Sequence, residues 1–156
     1  YTNTSNESFE TATPLFAKIN YQRIHGDCHH GNILLKDGNP FLIDFDDMSV
    51  GPRVQDLWMI APGRDEWDKK NFDILLDSYI TMTDFDFREL KLIETLRTLR
   101  IIHFSAWIGH RYKDESFKRA FPSFGTHQYW EKEVFDLNTQ LQYIKDDAAS
   151  LKAAPY

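Results

Sequence analysis

Cysteine is almost missing from this chain: Cys28 is the only one in 156 residues. No internal disulfide can form, which fits a reducing cytosol. Long apolar runs are missing too. None approaches the roughly 20 residues that cross a bilayer, and no charged start followed by an apolar core marks a secretory signal. Nor is there a basic excess. The formal net charge of −6 argues against a general nucleic-acid or membrane-surface binder, since either needs a positive field. Neither nucleic acid nor membrane is therefore an expected partner, and a cytoplasmic location is expected. An anionic substrate would have to be met by a metal or by local Lys and Arg. The chain opens Tyr-Thr-Asn-Thr-Ser without an initiator Met, which suggests a piece of a longer protein.

What is present argues for a folded unit. Apolar residues make up 42% of the chain and aromatic residues 15%, enough for a packed core in a single domain spanning residues 1–156. Tyr1 to Ser8 is polar and reads as a frayed terminus or the tail of a loop whose upstream half is missing. Phe9, Leu15, Phe16 and Ile19 could share one face of a short helix, with Pro14 near its start or bending it. Tyr21 to His25 reads as a short buried strand leading into a loop at Gly26 to Gly31. Asn32 to Lys36 and Pro40 to Phe45 form a hairpin about Asp37-Gly38-Asn39, residues that tolerate positive φ. Gly51-Pro52 precedes a helix carrying Val54, Leu57, Trp58 and Ile60, stopped at Pro62-Gly63. A second helix follows from Asp65 to about Thr81, with Trp67, Phe72, Leu75, Leu76, Tyr79 and Ile80 as its buried stripe. Asp86 with Glu89 resembles a capping box opening the longest helix, to about Tyr112, with Leu96, Phe104 and Trp107 on its apolar face. Lys113 to Gly125 reads as a loop with a solvated basic run, and His127 to about Ala148 as the last helix. The fold class expected is α+β, mainly α, with a small β-hairpin on a helical bundle.

The chemistry concentrates in Arg23 to Asp47. Phosphoryl transfer from ATP needs a carboxylate that orients and deprotonates an acceptor hydroxyl, and oxygen ligands for magnesium on the phosphates. Protein kinases place an Asn five residues after the catalytic Asp and a second Asp at a strand end downstream. Asp27, Asn32 and Asp44 follow that order, with His25 supporting the loop. If Asp37 to Asn39 is a three-residue loop, Lys36 pairs with Pro40 and Asn32 falls opposite Asp44, with Cβ atoms about 4.5–5.5 Å apart. A two-residue turn would shift the pairing by one and turn one of them away.

The string H-G-D-C-H-H-G-N with I-D-F-D-D behind it resembles the aminoglycoside phosphotransferase and choline kinase group of protein-kinase-like folds. The nearer resemblance is to the bacterial stress response kinase A family, the RdoA type of serine/threonine protein kinase. It rests on Gly51-Pro52-Arg53-Val54-Gln55-Asp56-Leu57-Trp58-Met59, on Ala106-Trp107 with Arg111, and on Phe121-Pro122 to Tyr129-Trp130. The resemblance implies ATP- and magnesium-dependent phosphorylation of a hydroxyl, on Ser or Thr of protein. By matching position it makes Asp27 the catalytic base, Asn32 and Asp44 magnesium ligands, and Asp56 a brace for the catalytic loop.

Several features depart from that pattern. No Gly-rich loop, strand Lys or partner Glu is present, so the chain resembles the C-terminal, helical lobe alone. An N-terminal lobe of the same protein is the implied partner, and the 156-residue piece is expected to be inactive by itself. Gly26-Asp27 replaces Arg-Asp and Phe45-Asp46 replaces Phe-Gly, as in the small-molecule kinases. An aminoglycoside-, choline- or homoserine-type kinase therefore stays open as an alternative, as does a non-catalytic helical interaction module. His29, with His25, His30 and Asp27, could be read as a transition-metal cluster, but paired-metal hydrolysis needs two complete ligand sets, and His103, His110 and His127 have no companion motifs. His29 is better read as fixing the loop by a hydrogen bond and Cys28 as small-residue filling. Asp47 reads as a strand-end cap, and Asp46 is left as a possible metal or substrate contact.

Overall fold

The polar start of the chain is helical. In the computed structural model, which describes residues 1–17 and 19–153, α1 spans Thr2–Phe16. The expected frayed terminus is thus corrected. Ser and Thr side chains hydrogen-bond the carbonyl one turn back, as Ser5 does to Tyr1 and Ser8 to Thr4, so their polarity is satisfied inside the helix. Ser5, Ser8 and Ala12 are buried at helical spacing, so small residues rather than large apolar ones form the packed face. Ile19 lies beyond the helix, and Pro14 sits in its last turn rather than near its start.

The elements that follow are β1 (Gln22–Ile24), β2 (Ile33–Lys36), β3 (Asn39–Leu42), β4 (Ser49–Gly51), α2 (Val54–Ile60), α3 (Glu66–Ile80), α4 (Ile93–Arg111), α5 (Glu115–Ala120) and α6 (His127–Ala153). The fold is α+β and mainly α. Two antiparallel pairs make up its sheet content among the described residues, β1 with β4 and β2 with β3. The strand β4, unforeseen in the sequence, pairs Gln22 with Gly51 and Ile24 with Ser49. The chain divides into two compact units, one of Tyr1–Ala17 with the residues from Glu94 on, the other of Lys18–Ile93.

In the first unit α1 packs on α6, which buries Leu137, Leu141 and Ile144. Glu7 pairs with Lys145 at 2.6 Å, and Gln140 donates to the Glu94 carboxylate at 2.8 Å. The helix α6, with 27 residues, is longer than α4, with 19, so α4 is not the longest. The expected loop after Lys113 contains α5, because Asp114 caps it by accepting from the Ser116 amide. On α4 the inward residues are Thr95, Leu96, Thr98, Ser105 and Ile108, whereas Phe104 is 49% exposed. Phe104 joins an aromatic cluster with Trp107 and Phe121 rather than the core.

In the second unit the core is Ile24, Cys28, Val54, Leu57, Trp58, Met59, Leu76 and Leu92. Asp65 caps α3 through the Asp68 amide. Of the stripe expected on α3 only Leu76 is fully buried, and Trp67 is 71% exposed at the first turn. Asp86 does not open α4 directly. A 3-10 segment, Phe87–Leu92, comes between them, and the Glu89 carboxylate that a capping box would turn back toward Asp86 points instead to Arg53 and the Val54 amide.

Candidate functional site

The loop after β1 is held by α2. One oxygen of the Asp56 carboxylate accepts from the His25 amide at 2.8 Å and the other from the Gly26 amide at 2.9 Å. Its neighbour Gln55 donates from Nε2 to the Gly26 carbonyl at 3.0 Å. The two backbone units just before Asp27 are thereby clamped on both faces. Gly26 has φ +87°, and a Cβ there would run into the carbonyl oxygen of Asp47, so only glycine suits the position.

Asp27 is braced by its own loop. Asn32, itself buried, donates from Nδ2 to the Asp27 carbonyl at 3.0 Å and lies 3.4 Å from Oδ2. The Gly31 amide donates to His29 Nδ1 at 2.9 Å, which leaves the proton of the neutral ring on Nε2, 3.3 Å from Asp27 Oδ2. His29 thus bridges the loop backbone and the Asp27 carboxylate. His25 is buried, and its Nε2 donates to the Ile43 carbonyl at 2.8 Å, tying the loop to the hairpin. Its ring packs on Phe45 with centroids 4.7 Å apart. Cys28 is 3% exposed. Burial first, and then the charges of Asp56 and Asp27, push its thiol up to about 11, so it stays protonated near neutrality and fills space.

The hairpin register differs from the three-residue reading. Asp37 and Gly38 have φ +52° and +78°, the signature of a two-residue turn with both central residues left-handed, which Asp-Gly favours. Lys36 pairs with Asn39 and Ile33 with Leu42, and the Ile43 amide donates to the Asn32 carbonyl at 3.0 Å. Asn32 therefore faces Ile43, not Asp44. Asp44 then breaks the strand with φ +63° and opens a 3-10 turn, Phe45–Asp47, so strand alternation does not set its direction.

The donor chemistry nevertheless fits a hard cation. Nδ2 of Asn32 is engaged with Asp27 while Oδ1 accepts no hydrogen bond, and Asp44, Asp46 and Asp47 have no side-chain hydrogen bond or ion pair among the described residues. These are all oxygen donors, as magnesium requires. Among the described residues no three His, Cys, Asp or Glu side chains gather as a metal cage. A cation held here would complete its shell with water and substrate oxygens.

Two groups in this site had escaped the sequence reading. Gln55 lies in the Gly51–Met59 motif, where its spacing alone gives no sign that it reaches the Gly26 carbonyl. Glu89 is fully buried and accepts from Arg53 Nη1 at 2.9 Å and from the Val54 amide at 3.0 Å. Nothing local in the sequence signals a carboxylate that caps a helix 35 residues upstream.

The profile of the phosphotransferase enzyme family matches residues 11–93, a span that contains the whole loop, the hairpin, α2 and Glu89. Stress response kinase A of Escherichia coli K12 is 36% identical over 129 residues, and stress response kinase A of Salmonella typhi is 35% identical over the same length. A Salmonella typhimurium relative at 35% carries the name serine/threonine protein kinase RdoA. These alignments cover 83% of this chain and 39% of each relative, so the chain spans about two fifths of the proteins it matches. The resemblance first seen in the loop thus extends across most of the chain, which belongs to the phosphotransferase enzyme family, with stress response kinase A among its relatives.

Proposed function

We propose that this chain is the C-terminal lobe of an ATP- and magnesium-dependent kinase that phosphorylates Ser or Thr hydroxyls of protein, and that it acts in the cytoplasm. The observation that carries the reading is the braced carboxylate of Asp27, set on a backbone clamped by Asp56 within a phosphotransferase family segment. In this role Asp27 orients the acceptor hydroxyl and takes its proton. His29 Nε2–H and Asn32 Nδ2–H hold the carboxylate in one rotamer. Asn32 Oδ1 and Asp44, with Asp46 beside them, would hold magnesium, which neutralises charge on the phosphates when bound. An N-terminal lobe would supply the Gly-rich loop and Lys that the chain does not contain. The exposed apolar side chains of the hairpin segment, among them Leu35 at 76% and Phe41 at 52%, suit a surface covered by that lobe and the nucleotide.

A second reading rests on Gly26-Asp27, the form found in the small-molecule kinases. There the same groups act on an aminoglycoside-, choline- or homoserine-type hydroxyl. Both readings are tested in the complete protein by supplying MgATP with a generic protein substrate or with each small acceptor. Phosphate on protein, including autophosphorylation, supports the first reading; phosphate on a small acceptor supports the second. In either case Asp27→Asn should lower kcat by about 10²–10⁴-fold with little change in KM for ATP. Transfer that survives Asp27→Asn undiminished would remove Asp27 from the mechanism. The 156-residue chain alone should not turn over ATP.

A further inference from the structure

A partly buried ion pair, Arg53 with the fully buried Glu89, has no part in the chemistry just described, yet it sits where it can govern it. The helix α2 is only two turns long, and its N-cap residue, Arg53, makes no side-chain capping bond. Its start is capped from elsewhere, because Glu89 accepts from the Val54 amide with one oxygen and from Arg53 Nη1 with the other. Arg53 turns its Nε to Gln22 Oε1 at 3.0 Å, and Gln22 Nε2 donates to the Tyr79 hydroxyl at 3.2 Å. One carboxylate thus fixes the first turn of α2 and, through Arg53, the strand β1 that enters the loop.

Asp56 and Gln55 lie in the first turn that Glu89 caps. Their hydrogen bonds to His25 and Gly26 run over the loop backbone, and Asp27 comes next in the chain. A rotation of so short a helix by a few tens of degrees would pull the Asp56 carboxylate away from both amides. The apolar contacts of Val54, Leu57 and Trp58 are non-directional and restrain that rotation less than directional bonds do. A charged, fully buried carboxylate is tolerated only if its acceptors are filled, and here a guanidinium and a helix-start amide fill them.

We infer that Glu89 is a positioning residue for the Asp27 loop, acting through the Val54 amide and Arg53 on α2 and thence through Asp56. The inference rests on the reading of Asp27 as the base for its consequence in turnover, but not for its structural content. Glu89→Gln keeps the volume, removes the charge and turns an NH2 toward one of the two donors.

The test is amide hydrogen exchange and ¹⁵N–¹H NMR on the full chain. In Glu89→Gln the His25 and Gly26 amides should exchange about tenfold faster and lose the downfield shift of a carboxylate-bonded N–H, while amides in the middle of α3 keep their rates. Unchanged His25 and Gly26 signals would overturn the inference. So would acceleration shared equally with α3, which is the pattern of general destabilisation. Should Glu89→Gln fail to fold, Arg53→Lys serves instead, because an ammonium cannot reproduce the fork that bridges Gln22 and Glu89. It should accelerate the same two amides, and silence there would equally overturn the inference. In the complete protein, Glu89→Gln should lower kcat about tenfold and leave KM for ATP in place. Exchange needs no turnover, so a wrong assignment of Asp27 would leave the exchange result standing and fail only in the kinetics.

Discussion

The segment that carries Asp27 and the segment that carries Asp44 differ in how their backbone and charges are held. Around Asp27 the amides of His25 and Gly26 end on Asp56, the carbonyl of Gly26 on Gln55, and Asn32 and His29 lean on the carboxylate. Around Asp44 the chain leaves β3 with a left-handed residue, turns through Phe45–Asp47 and presents three carboxylates without side-chain partners among the described residues, on a segment exposed throughout. Braced around Asp27 and unpaired around Asp44 among the described residues, the two sides suit the different tasks proposed for them. A base works only in one geometry, whereas carboxylate oxygens that are not already engaged remain open to a hard cation.

Gly26 is where the two sides touch, and it offers the strongest perturbation. Alanine there must adopt φ near +87° and place Cβ against the Asp47 carbonyl oxygen. Strain and overpacking together should destabilise the chain by about 3 kcal/mol, read as a lower urea midpoint at unchanged m-value. If Gly26→Ala were neutral, the loop and the Asp47 turn would be free to move apart, and the contrast between a fixed and a pliant side would fail.

A paired substitution comes next. Asp56→Asn puts an NH2 against one of two backbone amides and should destabilise by about 2 kcal/mol. Asp44→Asn removes a charge that has no partner among the described residues and should leave the urea midpoint where it is, while raising the magnesium needed by the complete protein about tenfold or more. Equal effects of the two on stability would show that the Asp44 side is braced as well.

Much of this arrangement was legible in the sequence, and the failures share a cause. The order of Asp27, Asn32 and Asp44, the helix starts at Gly51-Pro52 and Asp65, and the presence of a hairpin are local signals, carried by a few adjacent residues. The hairpin register was not local enough. Asp-Gly-Asn can close a turn of two residues or three, and the positive φ at both Asp37 and Gly38 selected the shorter. The polar start misled because composition does not reveal that Ser5 and Ser8 satisfy their hydroxyls on their own helix and so can be buried. Glu89 looked like half of a capping box because the spacing Asp86 to Glu89 fits one. Its actual partners, Arg53 and Val54, are brought to it by the fold. Three-residue strands such as β4 carry too little pattern to stand out from the loop around them.

The gentlest perturbation leaves the fold intact and reports on the braced side alone. Cys28 lies directly after Asp27, almost without exposed surface, and its thiol is pushed up to about 11 by burial and by the charges of Asp56 and Asp27. Against an ordinary thiol near 9.0, the thiolate at pH 8 is scarcer by about a hundredfold, and because only the thiolate attacks while a higher-pKa thiolate attacks faster, alkylation should slow by about tenfold or more. The sign for stability follows from the same shift. Between pH 9 and 11 the folded chain keeps a proton that the unfolded chain has released, so stability falls as pH rises through that window, and Cys28→Ala should lack this share of the fall. In Asp56→Asn one repelling charge is gone and the clamp is loosened, so alkylation at pH 8 should quicken. In Asp44→Asn, on the unpaired side, it should stay at the wild-type rate. Mass spectrometry of iodoacetamide-treated chains measures all three. Equal rates in the two variants would mean that Cys28 does not sense which side of the site has been disturbed, and the division between a braced and an unpaired side would have to be given up.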